Sequence, residues 1–540
     1  MRATMMNVPL TITHLLDRAA RYAPQKEIVS RRPDRSIHRT TWADVHARAG
    51  RLAHALARLG VAPGDRVATL AWNHARHLEL YLAVPSMGAV LHTLNLRLHP
   101  TEIAYIARHA GDKVVVVDET LLPLLTKFID HVPSVEQVIV MRDTSAPLAD
   151  KYLDYEALLA PESKDYPWPA LDENAAAMIC YTSGTTGNPK GVVYSHRSTV
   201  LHTLVACMTD TLGVSESDVV MPVVPMFHAN AWGLPFCAAA TGAKVVFPGP
   251  HLDPTSIVDL MAGERVTLAA GVPTIWLGIL ALLDQDPSRY DLSTVRSMVI
   301  GGAAAPPAMI QGFRARHRLE VTHAWGMTET NPLGTVARIK SHMEGASEED
   351  RLRVRSTQGY AAVFVETRHV DDGGRLLPWD GATMGELEVR GPWVASSYIG
   401  GEGPEKFTAD GWFKTGDVVT IDADGYVRIT DRAKDVVKSG GEWISSVALE
   451  NALMSHPAVL EAAVFAAKHP KWDERPIAAV VLKPDRTATR EELVAHLAPL
   501  FPKFWLPDDV VFIAQIPRTS TGKFLKSKLR EEYGDRLVAG

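Results

Sequence analysis

Short apolar runs alternate with helix-like stretches over the first two thirds of the chain. The runs RVATLAW (66–72), KVVVVD (113–118), AAMICY (176–181) and RSMVIGG (296–302) are separated by amphipathic segments such as PTSIVDLMAGE. Strands that alternate with helices usually form parallel sheets with helices on their faces. We therefore expect an α/β fold in which a large N-terminal domain of layered parallel sheets and helices covers residues 1–431.

The pattern changes in the last third of the chain. Over residues 361–430, short alternating runs such as GELEVRGPW and GYVRIT are separated by glycine turns, which predicts an antiparallel β subdomain. Beyond a junction near Asp431 to Asp435, runs such as VALENALMSH and IAAVVLK predict both helix and strand. A small α+β C-terminal domain over residues 432–540 is the simplest interpretation.

The composition fits a folded enzyme and excludes several other classes of protein. Charged residues make up 22% of the 540 residues and the hydrophobic set makes up 46%. A largely disordered, collagen-like or coiled-coil chain is therefore excluded. The net charge of −6 provides no general attraction to nucleic acid or anionic lipid, so any phosphate binding must be local.

The cysteines and the apolar segments indicate a protein of the cytoplasm. Cys180, Cys207 and Cys237 have no close-spaced Cys or His partners, so neither a zinc site nor a disulfide framework is expected. The N-terminus lacks the pattern of a secretory signal. The most apolar region, residues 219–250, is interrupted by prolines, glycines and polar residues and cannot supply a membrane span of about 20 residues.

The strongest chemical signal is the loop YTSGTTGNPKG at residues 181–191, which follows the run AAMICY and precedes the helix-like HRSTVLHTLVACM. Its glycines, hydroxyl side chains and Lys190 can offer backbone N–H groups, hydroxyl donors and a positive charge to a polyphosphate. A phosphate-binding loop follows from this pattern. A flexible polar turn without a ligand is the alternative.

A Walker-type loop is a second alternative for the same segment. The spacing from Gly184 to Lys190 matches that motif, but Pro189 replaces its second glycine. Gly191 also stands where the motif has its magnesium-binding Ser or Thr. These two departures decide against a Walker loop.

At this loop the sequence resembles the adenylate-forming superfamily of acyl-CoA synthetases, peptide-synthetase adenylation domains and firefly luciferases. Four further segments follow in the order of that family, and they are HAWGMTET (323–330), WFKTGD (412–417), DRAKD (431–435) and PRTSTGK (517–523). The resemblance covers nearly the whole chain. Within the family it is greatest to bacterial medium- and long-chain fatty acyl-CoA synthetases, through stretches such as VPMFHANAWGLPF.

The resemblance implies an enzyme that joins a fatty acid to coenzyme A through an acyl-adenylate, releasing AMP and pyrophosphate. ATP, Mg²⁺ and CoA are the implied cofactor and substrates. The C-terminal domain is implied to rotate about a hinge at Lys434 between the two half-reactions. A homodimer is also implied, and peripheral contact with a membrane is left open.

The resemblance also assigns roles to individual positions. The implied catalytic residues are Lys523, Glu329 and Lys190. The implied magnesium ligands are Glu329 and Thr185. The positions implied to contact nucleotide or CoA are Thr182, Ser183, Gly184, Thr185, Thr186, Gly187, Gly301, Gly302, Ala303, His323, Trp325, Gly326, Thr328, Asp417, Arg432, Lys434, Lys438, Gly440, Gly441, Glu442 and Trp443. For the tryptophans, packing in the core or at the surface remains the alternative.

The acyl group is expected to meet the segment Pro225 to Phe236, which contains Phe227, His228 and Trp232 and no Asp. Amino-acid-activating relatives typically carry an Asp in this region, so an uncharged apolar acid is favoured. Trp232 matches a tryptophan that gates the acyl tunnel in long-chain relatives, with a buried core indole as the alternative. An aryl, short-chain or sulfur-containing acid is the alternative substrate. A nonenzymatic carrier of apolar ligands is the alternative function, and it is disfavoured because it would need a cavity but no phosphate loop.

Overall fold

Four β-sheets and the helices around them form the described chain, which in this computed structural model comprises residues 1, 3–182, 188–439, 442–518 and 524–538. In chain order the strands are β1 (Glu27–Arg31), β2 (Ile37–Thr41), β3 (Arg66–Leu70), β4 (Val90–Thr93), β5 (Asp112–Asp118), β6 (Gln137–Met141), β7 (Leu153–Asp154), β8 (Ala176–Tyr181), β9 (Gly191–Ser195), β10 (Val219–Pro222), β11 (Lys244–Phe247), β12 (Leu268–Gly271), β13 (Ser297–Ile300), β14 (Val321–Gly326), β15 (Leu333–Val336), β16 (Tyr360–Ala361), β17 (Glu366–Val370), β18 (Gly385–Arg390), β19 (Phe413–Ile421), β20 (Val427–Arg432), β21 (Val437–Ser439), β22 (Glu442–Ile444), β23 (Val459–His469), β24 (Asp473–Leu482) and β25 (Asp509–Phe512).

The α-helices lie mainly between the strands. They are α1 (Ile12–Tyr22), α2 (Trp42–Arg58), α3 (Ala75–Ser86), α4 (Pro100–Ala110), α5 (Leu122–Leu125), α6 (Tyr155–Leu159), α7 (His196–Ala206), α8 (Leu234–Thr241), α9 (Pro254–Gly263), α10 (Pro273–Gln285), α11 (Pro307–His317), α12 (Glu348–Arg355), α13 (Ser446–Met454), α14 (Arg490–Leu497) and α15 (Lys526–Tyr533). None of the helices in these described ranges is long and apolar enough to cross a membrane.

Two large sheets confirm the predicted α/β fold class. The nine-stranded sheet has the order β16-β15-β14-β13-β12-β10-β11-β1-β2, with parallel pairing from β14 to β1 and antiparallel pairing at both edges. The seven-stranded sheet has the order β7-β6-β5-β3-β4-β8-β9 and is parallel except for β9. The largest core cluster joins helices α1, α2, α3 and α8 to strands of both sheets.

Two smaller sheets follow in the last third of the chain. Strands β17 to β20 form a four-stranded antiparallel sheet that begins at Glu366, because β16 pairs instead with β15 of the nine-stranded sheet. Strands β21 to β25 form a mixed sheet with α13 and α14 in its principal core cluster. The antiparallel sheet and the terminal α+β unit belong to the predicted fold class, whereas the hinge position stays a prediction.

One short strand between the phosphate loop and the predicted helix was not assigned from the sequence. The segment GVVYS, directly after the phosphate loop, forms β9 and pairs antiparallel with β8, so the loop joins two strands of a hairpin. Helix α7 begins only at His196, where Ser195 caps it through the backbone N–H of Ser198. The β-branched and aromatic residues of GVVYS explain the strand. The N-terminus of α7 therefore does not open directly from the loop.

Asp218 ties together the amino ends of three neighbouring strands. Its carboxylate accepts hydrogen bonds from Arg296 at 2.8 Å and from the Thr267 hydroxyl at 2.6 Å. Burial alone would raise the pKa of Asp218, but these bonds and one from the Ser215 backbone outweigh it and lower the pKa to about 2. A carboxyl group with a lowered pKa stabilises the folded state above its unfolded pKa, and this contribution is lost as the pH falls through the folded pKa.

We expect Asp218→Asn to lower the free energy of unfolding by about 1–2 kcal/mol at pH 7, a figure reduced for the partly exposed Arg296. The difference from the unaltered protein should shrink as the pH falls from about 4 towards 2, because Asp218 itself becomes protonated there. Urea unfolding of both proteins at several pH values measures this difference in the free energy of unfolding. Asp284→Asn, which breaks a more exposed ion pair with Arg316, is the matched control with a smaller expected effect. A difference that does not depend on pH would contradict the assignment.

Candidate active site

The candidate residues gather where strands of the nine-stranded sheet end. Gly301 and Gly302 follow β13, Thr328 and Glu329 follow β14, and the segment 223–233 follows β10. These strands run parallel, so their carboxyl ends meet at one edge of the sheet. That edge is where open α/β sheets generally bind ligands.

The two ends of the phosphate loop are joined by hydrogen bonds. The Thr182 backbone N–H donates to the Lys190 carbonyl at 2.9 Å, and the Lys190 backbone N–H donates to Thr182 Oγ1 at 3.1 Å. A Cβ added to Gly191 would lie 2.6 Å from Ile399 Cδ1 and 2.9 Å from Tyr181 Cζ. Glycine is therefore required at the base of the loop. The predicted ligands Ser183, Gly184, Thr185, Thr186 and Gly187 lie outside the described residues.

Lys190 and Glu329 both contact Tyr398, one at its ring and the other at its hydroxyl. The Lys190 Nζ is 5.3 Å from the centre of the Tyr398 ring, and the Tyr398 hydroxyl donates to Glu329 Oε1 at 2.6 Å. Burial first, and the Glu329 charge second, raise the pKa of Tyr398, so its hydroxyl stays protonated and remains a donor. Lys190 also lies 3.9 Å from Glu405. A cation, a phenol and a carboxylate thus stand beside the phosphate loop.

Glu329 fits a magnesium ligand of the kind that nucleotide-binding enzymes use. It lies in the short 3₁₀ turn Thr328–Thr330 and is 6% exposed. The turn is fixed because the Tyr194 hydroxyl donates to the Thr328 carbonyl at 2.6 Å and the Ala395 N–H donates to the Glu329 carbonyl at 2.7 Å. Mg²⁺ usually binds one or two carboxylates together with phosphate oxygens and water.

No group of three or more acidic, His or Cys ligands stands ready for a metal within the described ranges. The second predicted ligand, Thr185, lies outside the described residues.

Asp417 is a second buried carboxylate of the site. It is 1% exposed, and its Oδ2 accepts the indole N–H of Trp325 at 2.9 Å. Its Oδ1 lies 2.7 Å from Arg432 Nε, because Asp417 and Arg432 stand opposite each other on β19 and β20. An ionised carboxylate can accept about four hydrogen bonds, so capacity remains for the hydroxyls of a ribose.

Trp325 serves in this arrangement as a hydrogen-bond donor and as a packing residue. Its six-membered ring would lie 2.4 Å from a Cβ added to Gly334, so that side of the indole is covered by backbone. The indole is 7% exposed. The packing alternative for Trp325 is thus part of its role, and stacking on adenine stays a prediction.

The other predicted nucleotide contacts surround the end of β13. Gly302 has a φ of +80°, a conformation that favours glycine, and Ala303 follows it. His323 stands beside Ile300 on β14, and Gly326 ends that strand. Burial lowers the pKa of His323 to about 4, so its imidazole is neutral near pH 7 and offers hydrogen bonds but no charge.

The predicted acyl residues lie on a backbone of unusual conformation. Ala229, Asn230, Ala231 and Trp232 have φ values of 42°, 53°, 48° and 57°, and Gly233 follows at 77°. We call Ala229–Gly233 the left-handed turn. Left-handed backbone costs about 1–2 kcal/mol for each residue other than glycine, so surrounding contacts must hold this segment.

The left-handed turn places Trp232 against the strand-end glycines. The Trp232 indole would lie 3.2 Å from a Cβ on Gly301 and 3.9 Å from one on Gly302. His228 precedes the turn, and the ring of Phe227 has the Arg97 guanidinium 5.8 Å from its centre. Trp232, a candidate acyl residue, therefore contacts two of the candidate nucleotide residues.

The candidate hinge and CoA residues lie beyond β20. Burial lowers the pKa of Lys434, and the Lys438 Nζ lies 5.1 Å from the Trp443 ring across the β21–β22 pair. Asp431 Oδ2 accepts the Ser446 backbone N–H at 2.7 Å, which links the end of β20 to α13. Gly440, Gly441, Lys523 and the side chain of Glu442 lie outside the described residues.

Several residues of the site were missed by sequence reasoning. Tyr398 and Tyr194 hold Glu329 and its turn, and His109 Nδ1 lies 2.7 Å from the Tyr181 hydroxyl. His202 contacts the left-handed turn, because its ring would lie 2.6 Å from a Cβ on Gly233. Their contacts link residues far apart in sequence, and only the three glycines after Tyr398, at 400, 401 and 403, marked that segment as unusual.

The chain belongs to the AMP-binding enzyme family. It matches the AMP-binding enzyme domain over residues 16–399 and the AMP-binding enzyme C-terminal domain over residues 448–523. The family assignment confirms the resemblance noted in the sequence and identifies the protein as an enzyme.

Relatives of known name align along the whole chain. A long-chain-fatty-acid–CoA ligase of Thermus thermophilus is 51% identical over 98% of this chain and 97% of its own length. A medium-chain-fatty-acid–CoA ligase of Ectopseudomonas oleovorans is 45% identical over 100% and 98%. A 3-methylmercaptopropionyl-CoA ligase of Ruegeria lacuscaerulensis is 47% identical over 100% of both chains.

Solved structures with ligands share the architecture. An anthranilate CoA ligase in complex with anthranoyl-AMP superposes with a TM-score of 0.87 at 26% identity over 100% of both chains. ATP-bound MatB of Rhodopseudomonas palustris superposes with a TM-score of 0.83 at 28% identity over 97% of this chain and 99% of that one. These structures confirm the α/β fold class with its smaller C-terminal unit.

We expect Trp325→Phe to raise the KM for ATP by roughly tenfold, because the Asp417 carboxylate loses a hydrogen bond worth about 1.5 kcal/mol. The phenyl ring preserves most of the packing. Steady-state kinetics at saturating acid and CoA measure the change. Trp42→Phe is the matched control, since it removes an indole bond to the Ala243 carbonyl in the core. An unchanged KM for ATP in Trp325→Phe would show that this bond does not order the nucleotide site.

Proposed function

We propose that this enzyme is an AMP-forming fatty acyl-CoA ligase for medium- to long-chain acids. It would convert a fatty acid, ATP and CoA into acyl-CoA, AMP and pyrophosphate. The observation that carries the proposal is the similarity along the full chain to two fatty-acid–CoA ligases, at 45% and 51% identity. The uncharged segment around Trp232, next to the strand-end glycines, supports an apolar acid.

The first half-reaction is proposed to use the groups around Tyr398. The acid's carboxylate attacks the α-phosphorus of ATP, and negative charge accumulates on the departing pyrophosphate. Lys190, beside the phosphate loop, is placed to neutralise that charge. Mg²⁺, when bound, would neutralise further phosphate charge. Glu329, whose orientation Tyr398 fixes, would hold it.

Asp417 and Lys523 are proposed to orient the two reactants. The carboxylate of Asp417 would accept hydrogen bonds from the ribose hydroxyls while Trp325 and Arg432 hold its position. Lys523 would place its ammonium between the α-phosphate and the acid's carboxylate, a role that rests on the family resemblance. Both roles act by fixing geometry before the reaction, which can supply several kcal/mol.

The second half-reaction transfers the acyl group to the thiol of CoA, and AMP leaves. We propose that the C-terminal domain rotates about Lys434, which withdraws Lys523 and brings the segment from Lys438 to Trp443 to the site. The hydrogen bond between Asp431 and Ser446 joins residues on the two sides of the proposed hinge. In the proposed rotation it would form in one domain position and break in the other. One site would thereby serve two reactions in turn.

A sulfur-containing acid is the second candidate substrate. The observation that favours it is the 47% identity, over the full length of both chains, to a 3-methylmercaptopropionyl-CoA ligase. That enzyme's named acyl group is short and uncharged, so the same apolar segment suits it. We further propose a cytoplasmic homodimer, for which the support is the family resemblance.

The proposal is tested by CoA-ligation assays with palmitate, octanoate, 3-methylmercaptopropionate, benzoate and acetate. We expect the highest kcat/KM with octanoate or palmitate, because each further buried CH₂ contributes about 0.8 kcal/mol in an apolar site. AMP release, measured in the same reaction, shows that the ligase is AMP-forming. A clear preference for 3-methylmercaptopropionate would establish the second candidate instead.

We expect Lys523→Ala to slow adenylation by about a hundredfold, because an ammonium is lost at the reacting phosphate. Supplying preformed acyl-adenylate with CoA should restore thioester formation to nearly the unaltered rate. Lys434→Pro, which restricts the hinge dihedrals, is the mirror variant and should spare adenylation while slowing the thioester step. Equal slowing of both steps by Lys523→Ala would rule out the rotating-domain mechanism.

A further inference from the structure

The left-handed turn Ala229–Gly233 needs an anchor. Its φ values from 42° to 77° all lie in the left-handed region, which side chains other than glycine rarely adopt in succession. Asn is the non-glycine residue of this turn that tolerates the conformation best. Asn230 is also buried, with 1% of its surface exposed, so its amide must find partners inside the protein.

The partners of Asn230 come from two neighbouring elements. Its Oδ1 accepts from Cys180 Sγ at 3.3 Å and lies 3.4 Å from the Tyr81 hydroxyl, and its Nδ2 lies 3.3 Å from Met178 Sδ. Burial raises the pKa of Cys180 to about 11, so the thiol keeps its proton and acts as the donor. Strand β8 and helix α3 therefore both contact the turn through the side chain of Asn230.

The anchored turn fixes the position of Trp232. The indole lies against Gly301 and Gly302, where an added Cβ would be only 3.2 Å and 3.9 Å away. Gly233 is fitted as closely against His202, at 2.6 Å from an added Cβ. Because Trp232 and Gly233, at the carboxyl end of the turn, both meet surfaces without spare room, a change of the turn's backbone would move Trp232 off the glycines.

We propose that Asn230 is a positioning residue for acyl selectivity, which it controls by holding the left-handed turn and thereby seating Trp232. This inference rests on the proposed function, in which Trp232 borders the acyl group. The side chain of Asn230 contacts Cys180, Tyr81 and Met178, none of which is a proposed substrate or nucleotide residue. Its effect on selectivity must therefore pass through Trp232.

The test compares the ratio of kcat/KM for octanoate to that for palmitate among variants. We expect Asn230→Ala to change this ratio by about fivefold or more, in the same direction as Trp232→Ala. The KM for ATP should change by a smaller factor than this ratio, because Asn230 contacts none of the residues proposed to bind the nucleotide. In the Trp232→Ala background, Asn230→Ala should add no further change in the ratio, since the two residues act in one chain of contacts.

The backbone part of the inference has a readout apart from activity. Asn230→Gly and Asn230→Ala both lose the amide contacts, but only Ala keeps the cost of the left-handed region. We expect Asn230→Gly to have the higher Tm and the ratio nearer to that of the unaltered enzyme. Arg318→Gly, at an exposed residue with a φ of 57°, is the control that should raise Tm without changing the ratio.

A second pair of variants covers the case in which Asn230→Ala does not fold. Cys180→Ala removes one donor to Asn230 and should shift the ratio in the same direction by a smaller factor. Cys207→Ala is its matched control, because that thiol contacts the Cys237 carbonyl instead. The inference is overturned if the double variant changes the ratio by the product of the two single changes, which would mean that Asn230 and Trp232 act independently. It is also overturned if neither Asn230→Ala nor Cys180→Ala changes the ratio. If the unaltered enzyme takes neither acid, or Trp232→Ala leaves the ratio unchanged, the proposed function or the role of Trp232 within it is wrong.

Discussion

A buried carboxylate, Asp417, is the constraint on which the arrangement of the site depends. Taking a charge out of water is costly unless it is paired and hydrogen-bonded. Asp417 meets that requirement with Trp325 from the nine-stranded sheet and with Arg432 from the strand that leads into the proposed hinge. The Trp325 bond therefore links the antiparallel sheet to the large sheet, and the Arg432 pair joins β19 to β20.

Close backbone approach is a second constraint, and it acts both at the base of the phosphate loop and on the acyl side. Gly301, Gly191 and Gly233 stand where a Cβ would meet Trp232, Ile399 and His202 at van der Waals distance or less. These glycines let three separate segments meet without strain of their own. The strain resides instead in the left-handed turn, which contacts from β8 and α3 hold through Asn230. Strained backbone of this kind concentrates at functional sites, where the surroundings can hold it.

Sequence reasoning succeeded where the signal is local. Repeated short runs of apolar residues between amphipathic segments predicted the α/β layers. One of these runs, AAMICY, forms strand β8 with the predicted bounds. Sequence reasoning assigned no element to GVVYS, which forms β9 between the loop and helix α7, whereas the helix predicted from HRSTVLHTLVACM does begin at His196. Tyr398 could not be found either, since its importance comes from touching Glu329 across a gap of 69 positions. For Trp325 the sequence left packing and function as alternatives, and the hydrogen bond to Asp417 makes them compatible.

The sequence by itself determined the fold class, the family and the identity of the candidate residues, because periodicity and motif order are properties of the chain. Only the tertiary structure decided which candidates meet. It joined Lys190 to Glu329 through Tyr398, and Trp232 to Gly301 through a turn whose handedness no local pattern revealed. The physical reason is that a hydrogen bond or a close contact is a relation between two positions in space. The chain encodes such a relation only through the packing of everything between them.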